Sequence, residues 1–369
     1  MRSVLLRFRR NEINVTTVFA AILAVTAGLV TLRQTFGQTT AYTVSELSAA
    51  ADAGQVPCRL NNLGDLVGRA DNSAARGTRA TTWSHDTLQP KVLGALPGGD
   101  YSSASAINDA GEVAGASNTG NSIVPFIWKP TGGLQRIPLL PGDKCGQGFG
   151  INKYGHVAGY SSGPNGATAF LWVPKTGVRN LGTLPGGSYS RARAVNDLDS
   201  VVGTSASAAG DRAVLWTKTG NVRNLGTLPG DTSSEAIAIN NAGDVVGYSK
   251  GSGGLRAFLW TEAAGMQDLG VLPGGNSSRA LDINDLGYVV GSSTSSSGDH
   301  AFIWTKQGGM SDLNSAASAG LGVVFVEAHA INYTGEILVM GKTTQGTALP
   351  EHQDCAPAPP STFLLIPTP

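Results

Sequence analysis

Charge is scarce in this chain and sums to zero. Only 14% of its 369 residues are Asp, Glu, Lys or Arg, and 26 basic side chains balance 26 acidic ones. Such a chain has no net field to draw it to a phosphate backbone or an anionic surface, which argues against nucleic acid as a partner. Cysteine is rarer still. Cys58, Cys145 and Cys355 have no Cys-x-x-Cys spacing and no His pair nearby, so they form no zinc motif. The five histidines, His85, His156, His300, His329 and His352, share no spacing suited to a metal or an acid–base pair. No Gly-x-Ser-x-Gly elbow opens a helix, so a hydrolytic triad has no visible support. Apolar spacing at 3.6 residues is also missing, which excludes helical repeats. What is present is glycine, 50 residues of it, with a hydrophobic share of 41%. That share is enough for a packed core, and the turn-rich composition favours many short strands.

The N-terminus departs from this pattern. Arg2, Arg7, Arg9 and Arg10 precede an uncharged apolar stretch from Val15 to Leu32. A basic segment followed by an apolar one is the pattern of an export signal. The stretch is 18 residues long, near the lower limit for spanning a bilayer. Residues 1–41 are therefore expected to be a signal peptide or an N-terminal membrane anchor, with small residues at Thr39, Thr40 and Ala41 for cleavage. The protein is expected outside the cell or at its envelope, touching membrane only through residues 15–32.

An internal repeat dominates the remainder. Val195-Asn196-Asp197-Leu198-Asp199-Ser200-Val201-Val202-Gly203 returns as Ile239 to Gly247 and as Ile283 to Gly291. The same unit surrounds Asn61, Asn108, Asn152 and Asn332, giving seven anchors separated by 47, 44, 44, 44, 44 and 48 residues. All six tryptophans, Trp83, Trp128, Trp172, Trp216, Trp260 and Trp304, hold one phase of the repeat. Leu-Pro-Gly holds another, beginning at Leu96, Leu140, Leu184, Leu228 and Leu272.

One unit contains four strand-like segments. In the fifth these are Glu235 to Asn240, Asp244 to Ser249, Arg256 to Thr261 and Met266 to Leu272. A tight turn at Asn240-Asn241-Ala242-Gly243 joins the first two, and in the fourth unit Asp199 replaces its glycine. Four short antiparallel strands per unit describe a propeller blade. The expectation for 42–369 is a seven-bladed all-β propeller, with each Trp on a third strand packing against a neighbouring blade. The last unit reaches a third strand at Phe363 to Ile366 and stops, while Tyr42 to Leu47 precedes the first anchor as an unmatched strand. Pairing the two would complete the seventh blade and remove two open edges.

The unit resembles the HAF repeat of probable extracellular repeat proteins, named for a His-Ala-Phe triplet. That triplet stands at His300-Ala301-Phe302, with variants Thr168-Ala169-Phe170, Arg212-Ala213-Val214 and Arg256-Ala257-Phe258. The likeness covers essentially residues 42 to 345. It implies export and the propeller, and it brings no catalytic residues.

The Asn turns read as hairpins and not as calcium loops, because their second acidic position varies among Asp65, Glu112, His156, Ser200, Asp244, Tyr288 and Glu336. The most suggestive row lies five residues before the anchors of blades four to seven: Arg191, Glu235, Arg279 and Glu327. It should gather near one mouth of the channel, as inter-blade ion pairs or as a polar surface for a glycan or peptide. The insertion Thr344 to Pro360 should form a surface loop. A Cys58–Cys355 disulfide fits a ring in which blades one and seven adjoin. The sequence thus points to an exported binding module, with polysaccharide or an envelope protein as candidate partners and no metal or cofactor. The alternatives are a carbohydrate-active propeller enzyme and a structural surface protein.

Overall fold

The computed structural model describes residues 41–47, 56–72, 77–317, 322–343 and 361–368. Residues 15–32, the insertion Thr344 to Pro360 and Cys355 lie outside the described residues. Among the described residues no helix is long and apolar enough to cross a membrane.

Seven four-stranded antiparallel sheets form a ring, each sheet a blade numbered here by its Asn anchor from Asn61 to Asn332. Blade five comprises Ser233–Ile239, Val245–Gly251, Gly254–Thr261 and Gly265–Asp268. Its fourth strand is shorter than the sequence suggests. The Asp268 carboxylate accepts the Gly270 N–H at 2.8 Å, and Gly270 turns the chain at φ 84°. The residues up to Leu272 therefore belong to the connection and not to the strand.

That connection explains the Leu-Pro-Gly element. The Leu272 N–H donates to Ser293 Oγ of the next blade at 3.0 Å. Pro273 and Gly274, the latter at φ 77°, form the corner of a turn closed by Gly275 N–H on the Leu272 carbonyl at 3.0 Å. The same serine contact recurs from Leu96 to Ser117, Leu140 to Ser161, Leu184 to Ser205 and Leu228 to Ser249, at 2.9–3.1 Å. Between blades six and seven a short helix, Leu313–Ala317, takes its place. There Asn314 bonds both the N–H and the carbonyl of Phe325 at 2.8 Å.

The core lies between blades. Trp216 of blade four packs with Leu171, Leu181 and Leu184 of blade three. Trp260 meets Val202 and Leu225 of blade four, and Trp83 meets Ala330 and Leu338 of blade seven. Every tryptophan sits on a third strand and faces the preceding blade, as expected. Trp216 is fully buried and, among the described residues, its indole N–H has no hydrogen-bond partner. Trp216→Ala should therefore cost about 3–5 kcal/mol, and Trp216→Phe clearly less, since only packing is lost. Urea unfolding checks both; equal losses would mean that the N–H matters.

The ring closes as the sequence indicates. Tyr42–Glu46 is the outer strand of blade seven, followed inward by Ser361–Pro367, Ile337–Thr343 and Val323–Ile331. Its register runs from Tyr42 opposite Pro367 to Glu46 opposite Phe363. Two flanking bonds extend it: Leu47 N–H to Thr362 O at 2.8 Å and Thr368 N–H to Ala41 O at 2.9 Å.

Candidate functional site

The first strand of each blade is innermost, so the seven first strands surround a central channel. At one end of it lie the Asn turns. Each anchor is buried and uses both halves of its amide. In Asn196, Oδ1 accepts the N–H groups of Leu198 and Ser200 at 3.0 Å, which closes its own hairpin. Its Nδ2 donates to the Asn240 carbonyl of the next blade at 3.1 Å. The same inter-blade bond runs from Asn61 to Asn108, to Asn152, to Asn196, to Asn240, to Asn284, to Asn332 and back to Asn61, at 3.0–3.3 Å. Aspartate lacks the donor and leucine lacks both functions, which is why the chain repeats asparagine seven times.

The acidic residues that follow these anchors are also accounted for. Asp65, Glu112, Asp244 and Glu336 each accept from the Nδ2 of their own Asn, at 2.7–3.4 Å. In blade three His156 stands at this position, and the carboxylate comes instead from Asp199 of blade four. Asp199 bonds Asn152 Nδ2 at 3.1 Å and His156 Nδ1 at 2.6 Å, and pairs with Lys218 at 3.1 Å. Asp199 takes the glycine position of its turn at φ 61°, a conformation an aspartate tolerates at small cost. Burial pushes its carboxyl up, and His156 and Lys218 more than offset this, leaving it below the ordinary aspartate value.

A polar cavity of about 200 Å³ sits inside the Asn ring, lined by the anchors and by Lys153, Asp197 and Asp285 among their neighbours. Around it, Leu63, Tyr154, Leu198, Leu286 and Tyr333 project from the turn tips as exposed apolar side chains.

The row singled out from sequence lies toward the opposite end of the first strands, about 16 Å from the anchors. Each first strand carries a β-bulge just after this row, as between Ala192 and Ala194 or Ala236 and Ala238. The glycine of Val-Val-Gly makes room for it: a Cβ on Gly203 would stand 2.0 Å from the Arg191 carbonyl oxygen. The row is charged as read, but its contacts differ from simple pairing along it. Glu235 is bonded by Arg193, not Arg191, at 2.9 Å, and by the Tyr248 hydroxyl at 2.7 Å. Arg193 also covers Phe149 at 5.0 Å. Arg191 is exposed and lies over Tyr160 at 5.2 Å and Tyr189 at 6.0 Å. Arg279 lies over Tyr248 at 5.9 Å. Glu327 meets His329 of its own blade at 2.6 Å. Burial raises the Glu327 carboxyl, and His329 with Arg279 lowers it by more, to a net value below the ordinary one. Burial and then Glu235 push the Tyr248 phenol up, and burial with Asp211 pushes Tyr189 up to about 12.

Sequence reasoning missed Arg193, Tyr160, Tyr248 and His329. Tyr160 and Tyr248 stand directly across the second strand from Gln147 and Glu235, at one repeat position. That pairing was there to be read once the hairpin register was assigned. Arg193 and His329 sit on bulges, where the alternation rule fails. Two serines do fall within Gly-x-Ser-x-Gly: Ser161 and Ser249. Both are buried and accept the N–H groups of Leu140 and Leu228, so neither is presented as a nucleophile.

Deeper in the channel wall, Asp282 of blade six accepts the N–H groups of Ile283 and, from blade seven, Ile331, both at 2.9 Å. It keeps partial access to the channel, yet protein surrounds it. Burial pushes its carboxyl up to about 6, against an attraction from Arg59 of blade one. A carboxyl whose folded value exceeds its unfolded value stabilises fully below about pH 4, and that contribution is lost as pH rises through 6. Asp282→Asn loses the titration and one of the two acceptors, because each N–H is taken by a different oxygen, so a constant loss is expected at every pH. On top of that loss, the difference in stability should move in the variant's favour by up to about 3 kcal/mol between pH 4 and pH 8. Denaturant melts across that range decide it; a pH-independent difference would refute the assignment.

Cys145 is exposed and unpaired, with its thiol 3.8 Å from the Ser162 carbonyl. Cys58 is buried with Val56, Val326 and Met340 where blades one and seven meet, and its expected partner Cys355 lies outside the described residues.

No protein-family model matches the chain, and no curated protein matches it. Solved structures do. Virginiamycin B lyase from Staphylococcus aureus superposes with a TM-score of 0.53 at 11% identity, over 88% of this chain and 99% of that one. Oligogalacturonate lyase in complex with manganese gives 0.50 at 12% identity, over 90% and 98%. TolB from Acinetobacter baumannii gives 0.47 at 16% identity, and the match covers 67% of this chain and 62% of TolB. Identities this low speak to fold and not to activity. Geometry and likeness together establish the architecture: the chain is a seven-bladed β-propeller closed by its own N-terminal strand.

Proposed function

We propose that the protein is an exported binding module whose ligand contacts the charged end of the channel. The observation that carries this reading is the asymmetry of that end. Blades three to seven bring Arg191, Arg193, Arg279, Glu235, Glu327, His329 and four aromatic rings into one connected surface. At the same first-strand positions blades one and two carry the uncharged Val56, Cys58, Ser103 and Ser105, and of their second strands only that of blade one adds a charge here, Arg69 opposite Val56. A half-ring of this kind is not needed to hold the blades, since the tryptophan clusters and the Asn ring already do so. Rigid strands that present polar side chains on one side of a concave mouth suit recognition. The arginine-rich leader and the resemblance to the HAF repeat support export.

The carboxylates of the charged row favour binding over hydrolysis, and Asp282, the one raised carboxyl among the channel-wall acids described above, already has both oxygens engaged by backbone N–H groups. A glycoside hydrolase needs one carboxyl kept protonated as an acid. Glu327 is held the other way, below the ordinary glutamate value, by His329 and Arg279 against the effect of burial. Glu235 already accepts from Arg193 and Tyr248. The full chain incubated with cell-wall and extracellular polysaccharides, scored for retention and for reducing-end release, tests the reading. Retention without release is expected, and release would make the protein an enzyme. We also propose the Cys58–Cys355 disulfide; peptide mapping of exported material that finds both thiols free would dismiss it.

A further inference from the structure

We infer that the charged half-ring recognises an acidic polysaccharide, one bearing uronate carboxylates. The inference rests on the binding reading above and names its ligand class.

The charges of the half-ring do not cancel. Glu235 is taken by Arg193 and Tyr248, and Glu327 is taken by His329. Arg191 and Arg279 are left over: among the described residues neither forms a direct ion pair. Both guanidinium groups lie against tyrosine rings, Arg191 over Tyr160 and Tyr189 and Arg279 over Tyr248. A guanidinium held against a ring loses part of its freedom and keeps N–H donors for a ligand. That is the arrangement that grips a carboxylate with two parallel hydrogen bonds, at small cost in side-chain entropy. The two arginines stand on blades four and six with Glu235 and Tyr248 of blade five between them. A ligand that satisfies both therefore carries more than one acidic group along an extended chain.

The surroundings favour a sugar over a peptide. Peptide recognition relies on apolar anchors, and the large apolar side chains exposed near the channel, Leu63, Tyr154, Leu198, Leu286 and Tyr333, all project from the opposite end. At the charged end the neighbours are hydroxyl, carboxylate, imidazole and guanidinium groups, and the rings there, Phe149 and the tyrosines, are covered by the arginines. These can satisfy a ring of sugar hydroxyls while the arginines take the carboxylates.

The test uses the full-length chain and immobilised polygalacturonate, alginate, dextran and poly-L-glutamate, at low and high salt. Polygalacturonate and alginate should retain the protein, and salt should weaken the retention; dextran and poly-L-glutamate should not retain it. Arg191→Ala and Arg279→Ala should each weaken binding about tenfold, the value of one lost carboxylate contact. Arg191→Lys should fall between wild type and alanine, because it keeps the charge and loses the stacked plane. Unchanged melting temperatures would show that all three variants fold. Equal retention on dextran, with the same dependence on the arginines, would overturn the acidic class and leave the mouth as a binding site. Preference for poly-L-glutamate would overturn it in favour of a peptide, and failure of both uronate polymers would overturn it outright. Uronate binding that ignores both arginines would sink the inference and the placement of the binding site together.

Discussion

Deleting Tyr42–Glu46 should lower the melting temperature by roughly 10 °C or more and make the protein prone to aggregate. The strand makes five residue pairings with Phe363–Pro367, joined by the flanking bonds from Leu47 and Thr368. It also brings Tyr42 and Val44 against the core of blade seven, which holds Phe325, Ile337, Phe363 and Leu365. Burial of Tyr42 is deep enough to push its phenol up to about 12. Without the strand, Ser361–Pro367 becomes an open edge carrying the buried residues Phe363, Leu364 and Leu365. The loss is more than one strand's worth, because the latch joins chain segments more than 300 residues apart and thereby holds the ring shut. Differential scanning fluorimetry and size exclusion of the deletion variant check this. A monomer with unchanged melting would mean that the ring needs no latch.

The second large effect belongs to the asparagine ring. Asn196→Ala leaves the N–H groups of Leu198 and Ser200 without their partner and takes the inter-blade donor from the Asn240 carbonyl, which keeps the Gly243 N–H, at a half-buried joint of two blades. Each such group costs about 1–3 kcal/mol when it stays unsatisfied. Water entering from the cavity will relieve part of that, so a net loss of about 3 kcal/mol and a fall in melting temperature of roughly 5–10 °C are expected. Asn196→Asp keeps the two bonds accepted at Oδ1 and loses the donor, and should fall less. Asn241→Ala, one step along the next turn and exposed, loses bonds to Asp197 of blade four and Asp285 of blade six that water can replace, and should cost clearly less, about 1 kcal/mol. If Asn196 and Asn241 prove equally sensitive, the ring of amide bonds is not what joins the blades.

Much of this architecture was legible because the repeat announces itself in several phases at once. Asn, Trp and Leu-Pro-Gly mark three places in one unit, and each has its own physical role. The first makes the inter-blade amide bond, the second the inter-blade core and the third the connecting turn. The unmatched strand at Tyr42 followed from counting strands in the last unit. Less was legible where geometry departs from the simple strand. The bulge in each first strand breaks alternation, which hid Arg193 as the partner of Glu235. The exchange between His156 and Asp199 was also hidden, since it pairs two odd substitutions 43 residues apart in neighbouring blades. Sequence shows each of them only as a departure from the repeat. Asp282 could be read as a lone acid on a first strand, but its raised carboxyl value depends on burial in the channel wall.

Recognition at the arginine end of the channel is tested most directly by comparing retention on uronate polysaccharide. Three full-length proteins are needed: wild type, the double variant Arg191→Ala/Arg279→Ala, and Leu63→Ser/Leu198→Ser at the opposite face. The arginine variant is expected to lose retention while the leucine variant keeps it. Retention lost in the leucine variant and kept in the arginine variant would place recognition at the other end and contradict this reading of the mouth.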